Sequence, residues 1–332
     1  LIVVLIVLIM PRFRIPKDGN SEGLLDSKIR LECNSDGKFK VLILADVHAN
    51  GTLPKDVQNN IKYLVDIEQP DLVIFTGDNT LCSNIEKFKL SVSSMVSYIE
   101  SKKIPWCHVY GNHDDEYGVS KLDQQAIYES FDYCLSKNGL EELYGVGNYI
   151  LPIYKHNSND LASLVWCLDS GNYLGEITSD LPVGFDNYYP EYHDSDYDYI
   201  HMNQINWYKE TSIMLEQMYG RKIPSLMAFH IPLQESYYAW CNKDNLEWTG
   251  SKNERVCSSR INSGLFDVLK ERQDVLAVVN GHDHINDFMV KYEGIKLCYS
   301  PNVSTLTYYD EYMMGSRVFV FDENNPTDIE TY

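Results

Sequence analysis

The sequence predicts an α/β domain with two sheets packed face to face and helices outside. Three observations carry that prediction. Between residues 39 and 110, apolar runs of strand length alternate with amphipathic stretches, the β-α-β-α-β order of a sheet covered by helices. From residue 148 onward, short apolar runs follow one another more closely and read partly as paired strands. Five of the runs stop at Asp, Asn or His, and in open α/β sheets ligands bind outside the carboxyl ends of the strands.

The elements follow in chain order. Residues 1–10 are apolar throughout, too short for a bilayer span, which needs roughly 20 residues. They match the h-region of a secretory signal, or a truncated membrane anchor. A polar lead-in to residue 38 follows, and residues 39–332 are expected to form one domain. A strand at 39–45 runs into Asp46-Val47-His48, and Val57, Ile61, Leu64 and Val65 then show helical spacing. Leu72–Phe75 runs into Gly77-Asp78-Asn79, and a helix over 84–102 follows. Trp106–Tyr110 runs into Gly111-Asn112-His113-Asp114, before a helix over 120–137. Asn148–Tyr154 and Ala162–Leu168 read as paired strands, and 185–199 as an acidic, Tyr-rich surface loop. A helix over 203–219 precedes the strand 225–229, which ends at His230. Residues 240–260 read as a polar insertion, 264–272 as a short helix, and Val275–Val279 as a buried strand feeding Gly281-His282-Asp283-His284. Runs at 288–290, 295–299 and 316–321 are expected to complete the second sheet.

Composition narrows the chemistry. The formal net charge is −20, which repels phosphate backbones, so nucleic acid is not an expected partner. None of the eight cysteines falls in a C-x-x-C pair, which argues against a zinc knuckle. Cys241 and Cys257 flank the polar insertion and are expected to pair if the protein is exported. Asn302-Val303-Ser304 fits a glycosylation acceptor.

The strand-end residues are Asp46, His48, Asp78, Asn112, His230, His282 and His284. Singly, each has a bland reading: an Asp-x-His caps a strand, Gly-Asn-His-Asp is made of turn formers, and a lone His is core. Five such ends in order are not accounted for that way. Oxygen donors with four imidazoles suit two transition-type divalent ions rather than calcium or magnesium alone. Asp78 can bridge two ions, and a pair roughly 3.5–4 Å apart holds a bridging hydroxide and clamps a phosphoryl group. His113 is surplus to the ligand count and is assigned as general acid, with Asp114 expected to orient its ring.

These blocks, taken together across residues 39–300, resemble the calcineurin-like metallophosphoesterases, and most closely the purple-acid-phosphatase-like phosphoesterases. The resemblance implies a four-layer α/β/β/α sandwich of two packed mixed sheets flanked by helices. It implies one metal on Asp46, His48 and His284, a second on Asn112, His230 and His282, and Asp78 between them. Purple enzymes carry a Tyr three residues after the bridging Asp. Here that residue is Leu81, so manganese, zinc or iron is expected without a purple colour. The expected activity is that of a secreted or lumenal phosphomonoesterase, membrane-associated only through the N-terminus, with Asp78, Asn112 and His113 catalytic. Its expected partner is a small phosphorylated substrate or a phosphoprotein. A phosphodiesterase or nucleotide pyrophosphatase is the alternative, and a non-catalytic metal-stabilised scaffold the third reading.

Overall fold

A computed structural model describes residues 23–174 and 196–332. The apolar residues 1–10 and most of the Tyr-rich loop lie outside the described residues. Among the described residues, two mixed sheets and six α-helices make up the fold.

The strands of the smaller sheet are β2 (Lys38–Leu44), β3 (Leu72–Thr76), β4 (Trp106–Val109), β12 (Arg317–Asp322) and β13 (Glu330–Thr331). They run in the order β13-β12-β2-β3-β4, with β2, β3 and β4 mutually parallel. The larger sheet contains β1 (Leu31–Glu32), β5 (Tyr149–Tyr154), β6 (Leu161–Cys167), β7 (Ser225–Ala228), β8 (Glu247–Lys252), β9 (Val275–Asn280), β10 (Asn286–Tyr292) and β11 (Ile295–Tyr299). Its order is β1-β5-β6-β7-β9-β11-β10-β8, with β6, β7, β9 and β11 parallel.

The period of two along each strand divides the core into three. Val41, Ile43, Leu72 and Ile74 meet Leu226, Ala228, Ala277 and Val279 between the sheets. Their neighbours Leu42, Leu44, Val73 and Phe75 face outward, against helices α1 (Lys55–Glu68), α2 (Ile85–Ser101) and α3 (Lys121–Tyr128). On the far side Met227 and Val278 face α4 (Met202–Tyr219), α5 (Gln234–Cys241) and α6 (Leu265–Arg272). Helices therefore cover both outer faces, giving the four layers. Among the described residues, no helix is long and apolar enough to cross a membrane.

The structure departs from the sequence reading at six places. Helix α3 stops at Tyr128 rather than 137, because residues 133–135 straighten along the edge of β4, where Trp106 exchanges hydrogen bonds with Tyr133 and Leu135. The insertion 240–260 contains the exposed strand β8, held by its ladder to β10. There Gly250 has φ +83°, and an added Cβ would collide with the Asp287 carbonyl, so only glycine fits. Two elements, α5 and the short β1 inside the lead-in, carry no amphipathic signal and were not expected. The C-terminal strands divide between the sheets: β10 and β11 extend the larger one, and β12 crosses to pair with β2. Cys241 and Cys257 are both free thiols, not a disulfide.

Candidate metal centre

The parallel strands β2, β3 and β4 of one sheet and β7 and β9 of the other end at the same edge of the sandwich. Beyond those ends the chain turns sharply. Asp46, His48, Asp78 and His282 all adopt left-handed backbone, with φ of 56°, 51°, 50° and 76°. Non-glycine residues avoid this region at a cost on the order of 1 kcal/mol each, and such strain concentrates at functional sites. Glycines let the turns approach one another. An added Cβ would sit 2.6 Å from His230 Nδ1 at Gly77, 2.2 Å from Asp78 Oδ1 at Gly111, and 2.8 Å from Asp46 Oδ2 at Gly281.

Two buried donor groups result: Asp46, His48 and His284, and Asp78, His230 and His282. In the first, His48 Nε2 lies 3.2 Å from His284 Nε2, which is 3.7 Å from Asp46 Oδ1. In the second, His230 Nε2 lies 3.2 Å from His282 Nδ1 and 3.1 Å from Asp78 Oδ2. The same Asp78 oxygen is 3.7 Å from His48 Nε2, so it faces both groups. Surrounding atoms fix the rings. His230 Nδ1 is 2.8 Å from the Thr76 carbonyl and His284 Nδ1 is 2.8 Å from the Tyr308 carbonyl; donation to these acceptors leaves Nε2 as the ligating atom in each. Both oxygens of Asp46 accept from the His282 backbone N–H at 3.1 Å. Asp78 Oδ1 accepts from the His113 N–H at 2.9 Å, leaving Oδ2 for the centre.

The donor set fits divalent cations. Ring nitrogens of neighbouring histidines converge in pairs without an intervening acceptor. The buried Asn112 Oδ1 has no hydrogen-bond partner among the described residues, while its amide donates to Tyr173 Oη at 3.1 Å. An orphaned buried oxygen, one residue before the His113 N–H that bonds Asp78, is what a metal ligand looks like when only protein atoms are counted. The charge balance agrees. Burial pushes His48 down to about 3 and holds His282 and His284 below the ordinary histidine range, keeping neutral rings for ligation. Burial raises Asp46 and opposes the ionisation of Asp78, but His230 and His48 hold Asp78 well below the ordinary carboxylate range. Burial likewise works against charge on His230, yet Asp78 and Asp46 raise it to about 9. Buried acidic groups beside neutral rings suit a bound cation, whose charge would take the place of the His230 proton.

His113 stands at the open side of the centre, with Nε2 4.0 Å from Asp78 Oδ2 and its side chain 37% exposed. Its orienting partner is not Asp114. That carboxylate is buried and accepts from the N–H groups of Gly111, Asn79 and Thr80 at 2.7, 2.9 and 2.9 Å, so it builds the turn. Glu116 takes the ring instead, with Oε2 2.7 Å from His113 Nδ1. Three tyrosines wall the site. Tyr173 contacts Asn112, Tyr197 meets His282 edge-on at 4.4 Å, and Tyr308 stacks on His284 at 4.1 Å. Tyr308 thus lies at the rim, whereas Tyr299, at the end of β11, is buried in the core. Asn302 is fully buried, its side-chain oxygen accepting from the Ser304 N–H, so the expected glycosylation acceptor is inaccessible in the folded chain.

Two buried groups of strand-end carboxyls and imidazoles make a dinuclear-type metal-binding arrangement, and the chain belongs to the calcineurin-like phosphoesterase family, whose profile matches residues 39–286. It is 33% identical over 305 residues to "Probable inactive purple acid phosphatase 14" of Arabidopsis thaliana, covering 82% of this chain and 72% of that one. It is 30% identical over 305 residues to "Phosphatase DCR2" of Saccharomyces cerevisiae, covering 81% of this chain and 49% of that one. Among solved structures, a Plasmodium protein described as "GAP50 the anchor in the inner membrane complex" shares the fold at 14% identity and a TM-score of 0.51, over 89% of this chain and 88% of that one.

Proposed function

We propose that this chain is a metal-dependent phosphomonoesterase acting on a small phosphorylated substrate or a phosphoprotein. The observation that carries the reading is Asp78 Oδ2, 3.1 Å from His230 Nε2 and 3.7 Å from His48 Nε2, with His113 Nε2 4.0 Å away on the open side. Asp46, His48 and His284 would hold one ion, and Asn112, His230 and His282 the other, with Asp78 between. When bound, two such ions supply Lewis-acid charge for the phosphoryl oxygens and an acidified water as nucleophile. The chain's own residues do the rest. The left-handed turns aim the ligands inward, the tyrosines restrict the approach, and His113 presents Nε2 toward the departing alkoxide. Water oxygen bonds to phosphorus as the ester P–O bond breaks. The leaving oxygen takes a proton from His113, which water then replaces, so that one ester and one water give one alcohol and one phosphate.

The names of the relatives point both ways, one a phosphatase and one a probable inactive phosphatase. The second favours a scaffold reading in which the centre only stabilises the fold. Catalysis is supported by the two buried donor groups, the unpartnered Asn112 oxygen and His113 at the open side. The test is hydrolysis of p-nitrophenyl phosphate and bis-p-nitrophenyl phosphate after reloading with manganese, zinc or iron. Metal-dependent turnover of the monoester, lost in Asp78→Asn and lowered in His113→Ala, is expected. Preference for the diester would move the reading to a phosphodiesterase. Two bound ions per chain without turnover would establish the scaffold.

A further inference from the structure

His113 needs a partner that fixes which ring nitrogen faces the substrate, and the adjacent Asp114 is committed to backbone amides. We infer that Glu116 and Tyr173 are positioning residues that hold the His113 ring through a three-member hydrogen-bond chain; this rests on the phosphatase reading for its catalytic consequence. Glu116 Oε2 lies 2.7 Å from His113 Nδ1. A carboxylate oxygen accepts, so Nδ1 carries a proton in the neutral ring and in the imidazolium alike, and the imidazolium, which acts as the acid, carries its second proton on the Nε2 turned toward Asp78. Glu116 Oε1 accepts from the Tyr173 hydroxyl at 2.7 Å, and that hydroxyl accepts from Asn112 Nδ2 at 3.1 Å. One phenol therefore ties the orientation of Asn112 to that of the His113 carboxylate partner.

An isolated His–Glu pair three residues apart in a turn would carry little weight, since surface ion pairs contribute little. Here a second segment, 57 residues on, clamps it. Beside the Tyr173–Glu116 bond, Asn172 Nδ2 donates to Asp115 Oδ1 at 3.1 Å. Backbone pairing of Leu174 N–H with the Asp196 carbonyl, and of Asp198 N–H with the Asn172 carbonyl, holds the 172–174 stretch in place. The buried Asp198 further fixes this stem by accepting from Tyr144 and pairing with His201 at 2.9 Å. Consecutive residues of one segment thus meet consecutive residues of the other, and both side chains of Glu116's bridge are spoken for. Glu116 is 24% and His113 37% exposed at the side chain, leaving Nε2 open to an incoming ester.

A positioned acid matters most when the leaving group is a poor one. In Glu116→Ala, kcat/KM for an alkyl phosphate should fall about 100-fold, against about threefold for p-nitrophenyl phosphate, whose leaving oxygen needs little protonation. Glu116→Asp should recover part of the loss, and Tyr173→Phe should show the same selectivity at about tenfold or less. His113→Ala combined with Glu116→Ala should be no worse than His113→Ala alone. A uniform fall across both esters, or additive losses in the double variant, would overturn the inference. A second arm does not depend on turnover. Long-range 1H–15N spectra of histidine-labelled protein, metal-free and zinc-loaded, should show His113 with Nδ1 protonated, and a tautomer mixture in Glu116→Ala. A His113 protonated at Nε2 alone would overturn the positioning role. If the wild-type protein hydrolyses neither ester, the phosphatase reading fails, and the spectra alone decide whether Glu116 fixes the ring.

Discussion

The rims of the two sheets contribute to the centre in different ways. The five-stranded sheet brings the oxygen donors Asp46, Asp78 and Asn112 together with His48, whereas the eight-stranded sheet brings only imidazoles, His230, His282 and His284. Three of the four left-handed ligand residues, Asp46, His48 and Asp78, lie on the first rim, and only His282 on the second. One rim alone would be an oxygen-rich site suited to hard cations, and the other a bare cluster of rings. Mixed donor sets exist only because the sheets stack with their ends aligned, and each group takes ligands from both. The centre is therefore a product of tertiary packing, and bound ions would tie the sheets together at their rims.

The largest effect should come from the atom both groups share. Asp78→Asn is expected to lower kcat/KM by at least about 10³-fold, with metal content by mass spectrometry falling below that of His48→Ala or His230→Ala. Each of those removes a donor from one group only and should retain about one ion per chain. Equal ion loss in all three would break the two-group description. Removing the ions by chelation should lower the unfolding free energy, since ligand at about 100 times its dissociation constant adds about 2.7 kcal/mol per site. That increment should be largely absent in Asp78→Asn.

A smaller effect isolates the closeness of the rims from backbone strain. Gly77 and Gly51 have nearly the same φ, +94° and +95°, but an added Cβ meets His230 Nδ1 at 2.6 Å in the first and nothing within 4 Å in the second. Gly51→Ala should cost about 1 kcal/mol from the left-handed backbone alone. Gly77→Ala should cost about 2–4 kcal/mol, because His230 must yield as well. Urea unfolding of the metal-free proteins measures both, and equal losses would mean that the rims have room to part.

The seven candidate ligands were legible because each follows an apolar run, and the end of a strand is marked by residue type as well as by position. The alternation of Val41, Leu42, Ile43 and Leu44 between two cores was legible for the same reason. What failed was whatever depends on where a turn points. Asp114 adjoins His113 and looks like its partner, yet the turn aims it back at three amides, while Glu116 comes round to the ring. Nothing in the sequence links Tyr173 to either, since the contact arises only when the β6 end packs beside the β4 end. Asn302 carries a legible acceptor pattern, but its burial against His284 is a tertiary fact. Strand β8 was hidden because an exposed edge strand needs no apolar alternation, only a neighbour to pair with.

The smallest expected effect concerns the edge of the imidazole-bearing sheet. Cys241 and Cys257 bracket β8, and a disulfide between them would close a loop of roughly 15 residues, worth about 3 kcal/mol in the chain-entropy picture. In the structure Cys241 is exposed at the end of α5, and Cys257 is half-buried and unbridged. Cys257 is tied to the His282–His284 turn through its backbone, whose N–H donates to Asp283 Oδ2 at 3.0 Å. Burial and the nearby Asp283 carboxylate hold its thiol above the usual range, which disfavours the thiolate needed for exchange. Replacing both residues by serine keeps the backbone contact and leaves a hydroxyl where the Cys257 thiol meets the Arg255 carbonyl and Asp283. The double variant should match the wild-type unfolding free energy within about 0.5 kcal/mol, with and without reductant. A loss near 3 kcal/mol that reductant reproduces in the wild type would mean that a covalent bridge, and not the ladder of β8 on β10, fixes this edge against the metal-bearing turn.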